Sequence, residues 1–287
     1  VHTAPGHGLE DWEAGQKYGL ETFSPFDSKG CWTDEVPDLK GVPYFKGNKI
    51  VIDKLTECGA LIKSQTITHS YPHCWRCKHP VMYRSTPQWF VKVSMFKDNV
   101  LENIRKVSWF PASGERRISN MVENRSEWCI SRQRAWGVPI PVLYCKDCGK
   151  PLVTEETIKI IADKFRKESS DAWVKYEAKD FLPEGAKCEC GCKEFIKEKD
   201  IMDVWFDSGS SWSAVVEMRK NEFQSKDEDV LPVDMYLEGS DQHRGWFQSS
   251  LLIASATKGI APYKSVLTHG FVLDGEGRKM SKSLGNI

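Results

Sequence analysis

The chain has 287 residues, 40 basic against 40 acidic, and 40% of it is hydrophobic. That balance fits an ordinary soluble chain of about two domains and excludes a strongly basic nucleic-acid sponge or an acidic tail protein. No apolar run approaches the roughly 20 residues needed to span a bilayer, and Val1–Gly6 is no signal peptide, so a cytoplasmic protein without a membrane partner is expected. The absent initiator Met and the Gly285-Asn286-Ile287 end read as the interior of a longer chain.

Residues 1–48 are punctuated by Pro and Gly and read as irregular and β-rich. A helix is expected from about Lys49 to Cys58, capped by Asn48, stopped by Gly59, with Val51, Leu55 and Cys58 on its apolar side. A second follows Thr154, with Ile158, Ile161, Ala162 and Phe165 on one face. Between Cys148 and Cys188 the chain is otherwise charged, as in a surface insertion. Ile201–Phe206 and Asp234–Leu237 read as strands, Arg244 to about Lys258 as a helix with Phe247, Leu251 and Ala254 on one face, and Ser265–Thr268 as a strand. Strand, loop, helix and strand in that order form the right-handed unit of a parallel sheet. Ligands sit beyond the carboxyl ends of such strands, where Glu238-Gly239-Ser240-Asp241-Gln242-His243 falls.

Seven of the ten cysteines are clustered, as Cys74/Cys77, Cys145/Cys148 and Cys188/Cys190/Cys192, while Cys31, Cys58 and Cys129 stand alone. Without an export signal, clustered thiols point to tetrahedral metal sites rather than disulfides. Cys145-x-x-Cys148-Gly149 supplies two zinc ligands; Cys188, Cys190 and Cys192 compete for the other two places, and spacing does not choose. Cys74/Cys77, with His69, His73 and His79 nearby, is half a site, either zinc-bound or metal-free. Lys279-Met280-Ser281-Lys282-Ser283 lies beyond the last strand on a Gly-flanked loop. Two lysines so close can neutralise a polyphosphate leaving group, although a bare pair of lysines is more often a solvated face.

Context makes that stretch specific. Residues 279–283 resemble one of the two nucleotide-binding motifs of class I aminoacyl-tRNA synthetases. Trp128-Cys129-Ile130-Ser131-Arg132-Gln133-Arg134-Ala135-Trp136-Gly137-Val138-Pro139 is similar to a segment of the isoleucine, leucine and valine group. Asp203–Gly209 and Tyr236–Phe247 resemble the isoleucine-specific branch, and His2–Asp11 resembles its editing segment. The resemblance runs from end to end.

It implies an α/β fold: the second half of a class I Rossmann-type nucleotide-binding domain with zinc-bearing insertions, plus the C-terminal part of a β-rich editing domain. The implied boundaries are 1–65 for the editing part, 66–127 for a connective, zinc-binding segment, and 128–287 for the catalytic half, with a zinc insertion at about 144–200. The implied activity is ATP-dependent activation of isoleucine and transfer to tRNA(Ile), with hydrolytic editing of valyl-tRNA(Ile), by a monomer using ATP, Mg2+ and Zn2+. By the same resemblance Lys282 and then Lys279 contact the polyphosphate. Glu238 holds the adenylate with Gly239, Asp241 and Gln242 around it, and Trp205 and Trp246 wall the side-chain pocket. His269 approaches the nucleotide, Asp11 and His2 belong to editing, and a C-x-C-G pattern favours Cys188 and Cys190 over Cys192.

The family's other nucleotide-binding motif, of the His-Ile-Gly-His type, occurs nowhere in residues 1–287, so the chain alone is expected to be inactive. The rival reading is a synthetase-derived zinc module that binds RNA without catalysis.

Overall fold

The computed structural model describes residues 2–74, 77–222, 230–282 and 284–287, in two compact units that divide between Pro87 and Gln88. Val1, Trp75 and Arg76 within the first cysteine pair, and Ser283 of the lysine loop, lie outside the described residues.

The first unit carries α1 (Leu9–Tyr18) and α2 (Tyr44–Glu57). Helix α1 lies in the stretch expected to be irregular. Glu10 and Asp11 in its first turn and Lys17 in its last suit the helix dipole, and Gly19, at φ +66°, ends it in the left-handed region where a side chain would be strained. Helix α2 starts earlier than expected: Pro43, with φ preset, takes the N-cap position, and Asn48 falls inside the helix. Gly47 faces Trp32, whose Nε1 would stand 2.7 Å from a Cβ there. The apolar side expected of this helix is instead exposed at Val51, Leu55 and Cys58.

The second unit opens with β1 (Phe90–Val91), α3 (Lys97–Lys106), β2 (Ser108–Phe110) and α4 (Ser113–Glu123), then β3 (Trp128–Cys129) and β4 (Ser131–Arg132). An insertion follows: β5 (Leu143–Cys145), β6 (Pro151–Leu152), α5 (Glu155–Glu168), α6 (Ala172–Lys175) and β7 (Phe195–Lys197). Then come β8 (Ile201–Met202), α7 (Val204–Gly209), β9 (Val233–Gly239), α8 (Trp246–Lys258) and β10 (Tyr263–His269).

β10 pairs in parallel with β9 on one side and β2 on the other, giving the order β2-β10-β9. The expected strand–helix–strand unit is therefore present, and β2 with its flanking helices extends it. α3 and α4 come from a segment read as connective. Their Val100, Ile104, Ile118 and Val122 are buried in one core with Trp109, Phe247, Leu251, Tyr263 and Val266. Inside it Asn103 Nδ2 donates to Ser255 Oγ of α8 and to the carbonyl of Gly259, which ends that helix, at 3.0 and 3.2 Å, and Tyr263 Oη donates to the Phe247 carbonyl at 2.9 Å. Satisfied buried polar groups of this kind fix one arrangement of the helices.

α8 is covered on more sides than a one-face helix. Besides Phe247, Leu251 and Ala254, its Gln248, Ser249, Ser250 and Ser255 are buried. Gly209 lets α7 close on it, since a Cβ there would lie 2.9 Å from Ser249 and Ile253 atoms. The strand expected over Ile201–Phe206 is a two-residue strand followed by a helix, because Asp203 Oδ1 accepts the Trp205 N–H at 3.2 Å and caps α7.

The insertion has its own sheet, β6-β5-β7, and its own core of Leu143, Ile161, Trp173, Phe181 and Phe195. It is more than a charged surface loop. Thr154 starts α5 as expected, its hydroxyl accepting the Thr157 N–H at 3.1 Å in a reciprocal capping box.

Candidate functional site

Glu238 and Gly239 end β9, and His269 ends β10 directly beside them, paired with Gly239 in the parallel register. His269 Nε2 lies 3.9 Å from Glu238 Oε2. A Cβ on Gly239 would stand 2.9 Å from Asp241 Oδ1 and 3.8 Å from the His269 ring, so the missing side chain lets these groups converge. Beyond them Gln242 Oε1 accepts the Trp246 N–H at 2.9 Å at the start of α8.

Gly245 is also dictated by close approach. A side chain there would meet Gln242 Oε1 at 2.5 Å and the Trp205 ring at 2.9 Å. Trp205 is thereby brought to Gln242, and it lines a cavity of about 350 Å3. Trp246 stacks on Tyr236 at 3.8 Å between ring centroids, and its indole N–H reaches the Ser208 carbonyl and Ser211 Oγ, both at 3.1 Å. One face of that indole is thus covered, and it does not line the Trp205 cavity.

Asp203 is 4% exposed and absent from the sequence reading as a site residue. Its Oδ2 accepts the Trp128 indole N–H at 3.0 Å and an Arg132 N–H at 2.8 Å. It links the segment at 128–132 to the helix that carries Trp205. The same charge, after burial, raises the pKa of Asp207.

After β10 the chain turns back so that Leu273 bridges Lys279 and the Met280 N–H reaches the Val272 carbonyl at 3.1 Å. Lys279 Nζ sits 3.6 Å from the centre of the Phe271 ring, a cation–π contact. Asp274 and Asn286 clasp the loop. Asn286 Nδ2 donates to Asp274 Oδ2 at 2.7 Å, and Asn286 Oδ1 accepts the Ser281 N–H at 3.0 Å. Asp274 also accepts the Arg278 N–H at 2.8 Å and its Nε–H at 2.9 Å. Asn286 first, then these donors, hold the Asp274 carboxyl down at about 2. Lys282 is exposed on the turn that follows. The Asp274-Gly275 and Gly277 turn signals mark this loop in the sequence, but nothing there singles out Asp274 or Phe271 as its supports.

Cys145, Cys148, Cys188 and Cys190 offer four sulfurs within 4.8 Å of one another. Cys145 Sγ to Cys190 Sγ and Cys148 Sγ to Cys188 Sγ are both 3.5 Å. Sulfurs about 2.3 Å from a tetrahedral zinc stand about 3.8 Å apart, so the quartet could hold a metal. The Cys148 N–H draws the Cys145 thiol down to about 6, whereas Cys190, despite the Cys192 N–H, is pushed up to about 12 by hydrogen bonding to Cys145. Cys192 lies outside the quartet; its Sγ accepts the Glu194 N–H at 3.3 Å and packs on the insertion core.

Among the described residues no third ligand joins Cys74 and Cys77 in such a group. His2 is exposed and Asp11 is half-exposed in the first turn of α1; no hydrogen bond joins them among the described residues.

Residues 13–287 match the family model described as "tRNA synthetases class I (I, L, M and V)". The chain is 58% identical over 287 residues to an isoleucine--tRNA ligase of Caldanaerobacter subterraneus, and 54% identical over 289 residues to one of Desulfotalea psychrophila. Each match covers the whole chain but 30% of the relative, so the chain spans under a third of the length of these proteins. Among solved structures it resembles the LeuRS of the Agrobacterium radiobacter K84 LeuRS–tRNA–LeuAMS complex, with a TM-score of 0.51, 17% identity, and 98% of this chain and 59% of that one covered. That likeness concerns the fold. No helix among the described residues is long and apolar enough to cross a membrane.

Proposed function

The chain belongs to the class I tRNA synthetases of the isoleucine, leucine, methionine and valine group, and from that membership we propose that it is the second half of the adenylate-forming domain of an isoleucine–tRNA ligase. The observation that carries the proposal is the meeting of Glu238, Gly239 and His269 at the carboxyl ends of adjacent parallel strands, with the Lys279–Lys282 loop following directly from the second. Parallel sheets bind ligands at that end.

Activating isoleucine means attack of its carboxylate on the α-phosphate of ATP, with pyrophosphate leaving. The charge grows on the pyrophosphate oxygens, so cations at that position contribute most in the transition state. Lys282, exposed and unburdened by a described ion pair, is the first such cation, and Lys279 the second once it leaves the Phe271 ring. Glu238, Asp241 and Gln242 supply acceptors around the adenylate, His269 faces the nucleotide, and Trp205 supplies an apolar wall to the slot for the isoleucine side chain. Such a slot separates isoleucine from valine by only about 10–200-fold, which is the reason for a second, hydrolytic site. Asp11, supported by His2, would serve it against valyl-tRNA(Ile).

Zinc suits the thiol quartet and would cross-link the insertion as a closed structural site, held by Cys145, Cys148, Cys188 and Cys190. We extend it to no other residues; Cys74 and Cys77 would bind only with ligands from elsewhere. Magnesium enters with the ATP phosphates, and the quartet is the one group of three or more metal-ligating side chains among the described residues. The preferred transfer partner is tRNA(Ile), and the working state is a monomer.

The test is amino-acid-dependent exchange of pyrophosphate into ATP by the protein that carries this chain. Isoleucine should drive exchange best, valine weakly and leucine least. Equal response to leucine would remove the isoleucine assignment, and no response to any of them would favour an RNA-binding module without catalysis.

A further inference from the structure

The turn from Ser240 to Arg244 carries Asp241 and Gln242 of the candidate site, and His243 is the residue of that turn that is buried. Its side chain is 1% exposed. The imidazole lies 6.0 Å from the Trp109 ring of β2, tilted by 30°, and meets Phe247 of α8 edge-on at 5.4 Å. Its Nε2 faces Gly114 of α4, where an added Cβ would stand 3.2 Å from it. Trp109 is itself fixed, because its indole N–H donates to the Ile104 carbonyl at 3.0 Å. One side chain therefore ties the turn to β2, α4 and α8 together.

The two nitrogens of this ring are used unequally. Nδ1 lies 3.1 Å from the carbonyl of Ser240, the first residue of the turn. A carbonyl oxygen only accepts, so Nδ1 carries the proton and donates. Nε2 has no hydrogen-bond partner among the described residues. A second proton there would be a buried charge without an acceptor. Burial accordingly lowers the pKa of His243, against the pull of the Ser240 carbonyl, and Arg117, the charged group of α4 that acts on it, lowers it further. β2 and α8 face the ring with Trp109 and Phe247, which bear no charge, and Asp241 and Arg244 beside it on its own turn are exposed. An unsatisfied buried nitrogen is costly, and an apolar ring would fill the same space without one. What the imidazole adds over such a ring is the Nδ1–H donor.

From that donor the contacts run on to the site. The Gln242 carbonyl accepts the Gly245 N–H at 3.0 Å, and Gln242 Oε1 accepts the Trp246 N–H at 2.9 Å. Gly245 in turn leaves room for the Trp205 ring, and Gly239 leaves room for Asp241. We propose that His243 is a positioning residue of the adenylate site: its Nδ1–H holds the Ser240 carbonyl and thereby sets where Asp241 and Gln242 stand. The link to activity rests on the adenylation reading; the anchoring of the turn stands on its own contacts.

Two substitutions in the protein that carries this chain separate positioning from bulk, because their effects on stability and on activity run in opposite orders. His243→Phe keeps a ring and removes the unsatisfied nitrogen but has no donor, so it should unfold no more readily than wild type. His243→Asn keeps a donor nitrogen two bonds beyond Cβ but leaves a cavity, so it should be less stable. Hydrogen exchange at the Gly245 and Trp246 amides reads the placement of Gln242 without any substrate. In His243→Phe these amides should exchange about 2–10-fold faster, the weight of one hydrogen bond. The same variant should lower kcat of isoleucine-dependent ATP–pyrophosphate exchange by up to about 10²-fold, the cost of a misplaced contact. His243→Asn should recover most of both despite its lower stability. In acid the wild-type amides should lose protection with a midpoint below the ordinary histidine value of about 6.5, and those of His243→Asn, which takes up no proton there, should not. Protection and activity that follow stability instead, high in His243→Phe and low in His243→Asn, would overturn the proposal. If His243→Asn fails to fold, unchanged amides in His243→Phe would overturn it alone. Amides that respond as expected in a protein without isoleucine-dependent exchange would sink the adenylation reading and keep the anchoring.

Discussion

Asp203 shows how much can depend on one buried carboxylate. It caps α7, satisfies the Trp128 indole, and pairs with Arg132, whose side chain is 40% exposed. Replacing it with Ala removes a cap, worth about 0.5–2 kcal/mol, and orphans a buried donor, worth about 1–3 kcal/mol. The exposed side of Arg132 rehydrates, so the pair itself adds little. We expect Asp203→Ala to lower unfolding stability by about 2–4 kcal/mol in urea titration, and Asp203→Asn, which keeps the capping oxygen, to cost less. A second residue-scale prediction concerns the clasp. Asp274 has its carboxyl pKa depressed to about 2 in the folded chain, against about 3.9 in an unfolded one. Its contribution is therefore fully present above about pH 4 and is lost as pH falls through about 2. The Ser281 amide resonance should follow that titration with a midpoint near 2; a midpoint near the unfolded value of about 3.9 would show that the clasp does not form. Lys279, Lys282 and the Glu238 loop were readable because a motif places them, whereas Asp203 and Asp274 matter through partners far away in sequence. No local pattern announces such pairings.

The insertion is the element in which sequence and structure agree most closely on a site. Four thiols recognisable by spacing converge, and the choice between Cys190 and Cys192 follows from the turn at Gly191, where the Cys188 N–H bonds the Cys192 carbonyl at 2.8 Å. Cys188→Ser should abolish zinc content while Cys192→Ser retains it. Loss with Cys192→Ser alone would reverse the ligand assignment. Thr154→Ala should cost about 1 kcal/mol by removing the cap of α5, read from thermal or urea unfolding. Ile201–Phe206, α3 and α4 were hard to read for one cause: short apolar runs carry little periodic signal. Ile201–Phe206 reads as a strand until its Asp203 is seen as a cap, and the buried apolar residues of α3 and α4 are only Val100 with Ile104 and Ile118 with Val122. Two apolar residues in a charged segment are a weak signal, and tertiary burial settled those helices.

At the scale of the whole molecule, the parallel sheet brings together parts of the chain that are far apart in sequence. β2, β9 and β10 span residues 108–269, and the register of β10 on β9 sets Glu238 and His269 side by side. The strand–helix–strand order was legible, because β9, α8 and β10 are consecutive and strongly patterned. The contribution of β2 was not, because its pairing with β10 crosses the entire insertion. The two compact units divide between Pro87 and Gln88, and β2 belongs to the second. If the sheet end is an adenylation site, its function depends on the lysine loop and is separable from the first unit. The measurement that tests this most directly uses Lys282→Ala in the protein that carries the chain, with two activities on one preparation. Isoleucine-dependent ATP–pyrophosphate exchange should fall by about 10²–10³, the usual cost of one well-placed charge donor, while hydrolysis of preformed valyl-tRNA(Ile) stays near wild type. Unchanged exchange would contradict the account, for the loop would then be only a solvated basic turn.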